Sequence, residues 1–195
     1  NMALSKIDIE NMITGEVNVA NGGTGLSSGT SGQFLKFTGS TTLASAADNA
    51  GKVLQCLSYT HGTATSTSST SYGDFGSMAV TITPSATSSK ILVIHSAPAT
   101  AYTDNNSNIG QVAIFRGSTN ITALGHNSSF ATYDGTDRHN GSAIVFLDSP
   151  SSTSSLEYKV KLKVDNTNLE FVYGSHYSNG SQPDQSSLTC MEISA

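Results

Sequence analysis

Charge is what this sequence has least of. Acidic and basic residues together fill 12% of its 195 positions, about half the usual share. Nine Lys and Arg stand against fourteen Asp and Glu, giving a net charge of −5, and no basic run occurs. Holding nucleic-acid phosphates takes clustered cations, so a nucleic-acid partner is not expected. No stretch approaches the ~18 apolar residues of a spanning helix, which argues against membrane insertion. A basic start followed by an apolar run, the pattern of a secretory signal, is missing too. A chain that opens on Asn1 reads as a piece of something longer. Cysteine is scarce: Cys56 and Cys190 lack C-x-x-C spacing, which gives neither a metal knuckle nor a disulfide framework. Both are expected as buried free thiols in strands.

In place of charge there is hydroxyl, with 32 Ser and 23 Thr making up more than a quarter of the chain. Disorder normally accompanies high net charge, which this chain does not carry. Dense clusters of Val, Ile, Leu and Phe after residue 52 point instead to a β-rich fold with a core. Val53 to Tyr59 is the first strand, and the tract Thr63 to Ser71 reads as a solvent-facing loop. Met78 to Ile82 is a short strand closed by Pro84. Ile91-Leu92-Val93-Ile94 is apolar on both faces, which suits a central strand covered on each side. Gln111 to Phe115 follows, and Ala143 to Leu147 is a second central strand. In Glu157 to Val164, Tyr158, Val160, Leu162 and Val164 alternate with Lys159, Lys161 and Lys163, the period of a half-exposed strand with lysines on its wet face. Leu169 to Tyr173 and Leu188 to Ile193 complete the set. With almost no helical periodicity, the expected fold is all-β, an antiparallel β-sandwich of jelly-roll type over residues 51–195. Residues 1–50 form a separate N-terminal segment, whose front could be one helical turn or a strand.

That segment contains the stretch Val19 to Phe37, rich in glycine and hydroxyls. Ordering so many glycines costs backbone entropy that little side-chain burial offsets, so the stretch is a linker or orders only against copies of itself. Gln33-Phe34-Leu35-Lys36-Phe37 running into Thr38-Gly39-Ser40 has the form of a short strand and turn, which favours assembly. Asn21-Gly22-Gly23-Thr24-Gly25-Leu26, followed by Gly32-Gln33-Phe34-Leu35, resembles the shaft-to-head region of bacteriophage tail fibres. The resemblance covers roughly residues 11–50. It implies a homotrimer with an extended Gly/Ser-rich shaft, other virion tail proteins as partners, and a C-terminal head that meets the host.

Chemistry is harder to find. Gly25-Leu26-Ser27-Ser28-Gly29 fits G-x-S-x-G, but no apolar strand precedes it and no helix follows, so chance in a Ser/Gly-rich chain explains it. His61, His95, His126, His139 and His176 show no metal-ligand spacing, and His95, at the end of an apolar strand, reads as a satisfied interior or edge histidine. Asp104-Asn105-Asn106-Ser107-Asn108 and Asp134-Gly135-Thr136-Asp137 offer oxygens, but Asx-rich turns account for them without calcium. Neither a metal nor a cofactor is expected, and scattered acids give no catalytic pair.

Three loops stand out. They are 101–106 with Tyr102, Asp104 and Asn105, 130–139 with Tyr133, Asp134, Asp137 and Arg138, and 176–182 with Tyr177 and Asn179. Each sets a tyrosine among amides, carboxylates and hydroxyls, the groups a saccharide surface takes. The expectation is a binding protein, not an enzyme: a virion tail-fibre head that adsorbs to a host surface glycan or outer-membrane protein. The alternative is a decoration or connector protein that trimerises on a capsid or tail.

Overall fold

The computed structural model describes residues 30–31, 33–39, 42–46, 51–103, 108–122, 128–132, 138–175 and 184–194. The chain divides into two units, 1–49 and 50–195. In the first, β1 (Phe34–Phe37) and β2 (Leu43–Ala46) form an antiparallel hairpin. Its turn is closed by the Thr38 amide donating to the Thr42 carbonyl at 2.9 Å, and Ser45 Oγ donates to Gln33 Oε1 at 2.7 Å. The strand expected at Gln33–Phe37 is thus present, and β2 lies in a stretch whose small residues carry no strand pattern. Phe34, Leu35 and Phe37 are all exposed. The expected shaft, including Asn21 to Leu26, Gly25 to Gly29 and the helical turn within 1–20, lies outside the described residues.

The second unit is built from β3 (Val53–His61), β4 (Thr65–Thr67), β5 (Gly73–Ile82), β6 (Lys90–Thr103), β7 (Asn108–Arg116), β8 (Thr119–Asn120), β9 (Ser128–Thr132), β10 (Arg138–Asp148), β11 (Leu156–Val164), β12 (Leu169–Tyr173) and β13 (Ser186–Ile193). Every pairing is antiparallel. Several strands lie end to end. On one edge of β6, β13 pairs with residues 90–96 and β12 with 99–103, so the two make one interrupted row. In the same way β3 and β4 flank β13 and β12, and β8 and β9 share one edge of β7. Counted as rows in chain order, one sheet runs β3/β4, β12/β13, β6, β10 (first, eighth, third, sixth). The other runs β5, β11, β7, β8/β9 (second, seventh, fourth, fifth). That order is the double Greek key of a jelly roll. The all-β sandwich expected from the strand spacing is the fold observed, with no helix among the described residues.

Alternation fills the space between the sheets. Tyr158, Val160, Leu162 and Val164 of β11 are buried, with Val112 and Ile114 of β7 beside them. They meet Ile91 and Val93 of β6, Leu188 and Cys190 of β13, Ile144 of β10, and the Phe171 and Tyr173 rings of β12. In β5, Gly76 takes φ 51° and resets the alternation, so that Phe75 and Met78 both point inward. The Phe75 ring then packs edge-on against Tyr173 at 4.9 Å between centroids. Gly174 (φ 83°) ends β12 under equal constraint, because a Cβ there would meet Phe75 at 2.9 Å and the Thr63 carbonyl at 3.2 Å.

Several strand expectations need correction. Thr63 to Ser71 is not wholly loop, since β4 takes Thr65–Thr67. Ala143 to Leu147 is not central: β10 pairs with β6 on one side only, so it forms the edge of its sheet among the described residues. β6 is central, but only its inner face is covered, Leu92 and Ile94 being half-buried on the outer one. Cys190 is buried as expected, whereas Cys56 is exposed, because in the register of β3 against β13 it sits opposite Met191 and faces outward. The two thiols lie on opposite faces of neighbouring strands and are both free.

Two buried polar groups are held in defined ionisation states. His95 Nδ1 lies 2.7 Å from the Ser187 carbonyl, which can only accept, so this nitrogen carries the proton; Nε2 then accepts from the Tyr173 hydroxyl at 2.7 Å. The histidine is satisfied, as its position implied. Burial brings its pKa down from 6.5 to about 4, the bond to Ser187 only partly opposing the shift. At the other end of the sheet, burial disfavours charge on Glu192. Bonds from Gln55 Nε2, the Ser85 and Ser89 hydroxyls and the Ser85 amide outweigh it and hold the carboxyl at about 2, below its ordinary 4.5. Both shifts carry the same sign. Between the folded and unfolded pKa the unfolded chain binds more protons, so the stability His95 confers is complete above pH 6.5 and declines toward pH 4. That of Glu192 declines from pH 4.5 toward 2. His95→Gln should therefore remove the slope between pH 6.5 and 4 and keep the steeper loss below 4.5, as read from denaturant midpoints across pH.

Candidate functional site

A jelly roll gathers its turns at two ends, and the register decides which turns meet. β6 leaves the core through Ala101, Tyr102 and Thr103, where Arg138 of β10 pairs with Ala101 and Glu170 of β12 with Tyr102. β9 closes beside β7, with Thr132 opposite Asn108. The stems of the turns 104–107 and 133–137 therefore sit at one end of the sandwich, with the turns 68–72 and 165–168 beside them. Of the nine residues singled out by composition, Tyr102 and Arg138 are placed here by their backbones, on adjacent strands. Asp104, Asn105, Tyr133, Asp134 and Asp137 lie outside the described residues, as do the whole oxygen-rich run Asp134 to Asp137 and all of Asp104 to Asn108 except Asn108, which opens β7.

The third loop is rooted elsewhere. Tyr177 and Asn179 are also outside the described residues, but their stems are not. β12 ends opposite Ala99 and β13 resumes opposite Ser96, so the excursion 174–185 leaves from the middle of the sheet. The Gly174 amide donates to the Pro98 carbonyl at 2.9 Å, and the Asp184 amide to the Gly174 carbonyl at 3.0 Å, which clasps the base. The register thus brings two of the three stems together and sets the third a few residues down the sheet.

Residues without any sequence signal complete this end. The Asp165 carboxylate accepts from the Ile109 amide at 2.7 Å while its own amide donates to the Ile109 carbonyl at 3.0 Å, locking the 165–168 turn onto the start of β7. The Val164 amide donates to the Ser69 carbonyl at 2.9 Å, drawing in the 68–72 turn. The Tyr72 hydroxyl donates to Gln111 Oε1 at 3.3 Å, and the Lys163 ammonium lies 4.8 Å from the Tyr72 ring centroid. Burial raises the Tyr72 hydroxyl above its ordinary pKa, so it stays a neutral donor. An aromatic ring beneath a cation, flanked by an amide and hydroxyls, is suited to binding polar neutral ligands, not to moving protons. A lone tyrosine after a Ser/Thr tract carried no pattern that would have found it. Among the described residues no group of three or more His, Cys, Asp or Glu converges to hold a metal.

No family model matches this sequence, and no curated protein matches it. Solved structures of virus particles do superpose. A chain of the infectious bursal disease virus T13 particle aligns at 12% identity and a TM-score of 0.37, over 82% of this chain and 39% of that one. The VP2 subviral particle of the same virus aligns at 13% identity and a TM-score of 0.30, over 82% and 37%. This chain thus spans about two-fifths of the length of those chains. Superpositions this loose carry no inference about function, and the jelly roll rests on its own strand pairings.

Asp165→Ala should release the 165–168 turn. Losing the charge-assisted bond to the Ile109 amide costs about 1–3 kcal/mol. Faster hydrogen exchange at Ile109 and Val164, with the Val93 and Leu188 amides still protected, is the expected result.

Proposed function

We propose that this chain is a virion structural protein, the head-bearing part of a trimeric bacteriophage tail fibre whose jelly roll adsorbs to a host-surface glycan or outer-membrane protein. The observation that carries the reading is polarity within the head. The chain enters at Gly51 and Lys52, tied to Ser194 by three hydrogen bonds, beside the Lys90 end of β6. The turns at the Tyr102 and Arg138 stems are at the other end of that strand, roughly 40 Å away at ~3.3 Å per residue. A receptor-binding fibre needs attachment at one pole and contact at the other.

The Gly-rich resemblance over residues 11–50 supports the fibre class. The exposed Leu35 and Phe37 support self-association, because a two-stranded hairpin with exposed apolar side chains is marginally stable at best in water alone. The mechanism is binding without chemistry. Three weak sites on one head, multiplied over several fibres, raise avidity through effective concentration, without new contacts.

Two measurements test this. Light scattering on the full chain should give about 61 kDa, three times the 20.2 kDa chain, and a monomer would remove the fibre reading. Labelled protein should bind cells of a susceptible bacterium, and Tyr133→Ala should weaken each site by about 2 kcal/mol, roughly thirtyfold, with the mass unchanged. Unchanged binding by Tyr133→Ala and Tyr102→Ala together would take these loops out of the site.

A further inference from the structure

The two outer faces of the sandwich differ in kind. On the sheet containing β11 the outward residues are charged: Lys161 lies 3.0 Å from Asp74, Lys159 lies 3.2 Å from Glu157, and Lys161 and Lys163 cover the Phe115 and Tyr72 rings. On the other sheet the register lines up the outward residues of four rows as Leu147, Leu92, Met191, Cys56 and as Val145, Ile94, Thr189, Ser58. Ile193 and Val53 continue the apolar area at one end. Val145 is 61% exposed, Leu147 55% and Val53 55%. Among the described outward residues of β10, β13, β3 and residues 90–96 of β6 there is no carboxylate, Glu170 of β12 lying further along the sheet opposite Tyr102; the cation of this part, Lys90, sits at the rim and donates to Ser149 Oγ at 2.8 Å. Strands apolar on both faces belong to sheets covered on both faces, yet in the single chain Val145 and Leu147 of β10 are exposed, beside the half-buried Leu92 and Ile94 of β6.

We propose that this face is the interface between three copies of the chain, each turning it toward a common axis. This names the surface for the self-association assumed above and rests on that part of the functional reading. Three features favour copies of this chain as the occupant. First, in a chain of net charge −5, the part of this face around Leu92, Ile94, Val145 and Leu147 carries no carboxylate to repel its own copy, and it offers an acidic or basic partner little to recognise. Second, the face is continuous. Four rows at ~4.8 Å and seven residues at ~3.3 Å make a face of about 19 by 23 Å, about 440 Å² in projection, roughly half of the ~800 Å² that one partner contributes to a standard interface. Third, the width closes. Three sheets about 19 Å wide form a triangular prism with each backbone roughly 5.5 Å from the axis, close to half the ~10 Å spacing of packed sheets, so side chains fill it without a channel. Leu92, Ile94 and Met191 of the middle rows then meet at the axis, while Val145 and Leu147 of one copy reach Val53 and Cys56 of the next, a heterologous contact that closes after three steps.

The test uses the full chain and its own cysteine. Burial pushes the Cys190 thiol up to about 12, which leaves it inert at neutral pH, so Cys56 reports alone on the face. Wild type is expected to be trimeric with no thiol titratable by a maleimide or disulfide reagent. V145K/L147K, changed only at positions exposed in the single chain, should stay monomeric at concentrations roughly tenfold above those at which wild type assembles. It should keep its β-type circular dichroism and release one reactive thiol per chain. V145T/L147T, polar but strand-compatible, should show the same change in weaker form if the lysines impair folding. A wild-type trimer with Cys56 freely reactive, or a double variant that remains trimeric, overturns this surface and leaves the fibre reading standing. A wild-type monomer overturns both, and a monomer with Cys56 protected shows that another part of the same chain covers the face.

Discussion

β6 is the constraint on which the jelly roll depends. Fourteen residues of extended backbone pass through the sheet, and every buried amide and carbonyl along both edges needs a partner. One edge is satisfied by β10 alone; the other requires β13 and β12 placed end to end. That requirement fixes the rest. The chain must cross between sheets to bring β10, then β12 and β13, back to opposite sides of the same strand, and each crossing leaves another row in the facing sheet. The interior then fills by alternation, with the His95 and Tyr173 pair among its polar elements, both groups bonded and neutral.

Much of this was legible in the sequence because alternation is a local signal. Tyr158 to Val164 could be nothing but a half-exposed strand, and that is how β11 lies. β2 and β4 were not legible, because Leu43–Ala46 and Thr65–Thr67 are strands by pairing, without an apolar pattern. The status of β10 was misread for an instructive reason: Ala143 to Leu147 is apolar on both faces, and such a pattern reports how many faces are covered, not whether a second strand lies alongside. Of the candidate surface, composition located the tyrosine loops, but it could not show that two leave one end while the third leaves mid-sheet. That follows from register over more than 30 residues, as in the pairing of Arg138 with Ala101. Tyr72 and Asp165 were invisible for the same reason, since their partners Gln111 and Ile109 are distant in the chain.

The division of labour between the faces follows from the same layering. Lysine stems and ion pairs give one sheet a wet exterior, and exposed aliphatic side chains give the other an apolar one.

The clasp at Gly174 separates two kinds of change. Because Asp184 returns to bond the residue at which the excursion began, the ends of that excursion are neighbours whatever its length, and loop-closure entropy grows only slowly with added residues. Residues can be inserted or lost between them without moving β12 or β13 by a single register step. The scaffold can therefore stay fixed while this stretch diverges rapidly, and a foreign peptide grafted there would be displayed from the flank of the sandwich with the core untouched.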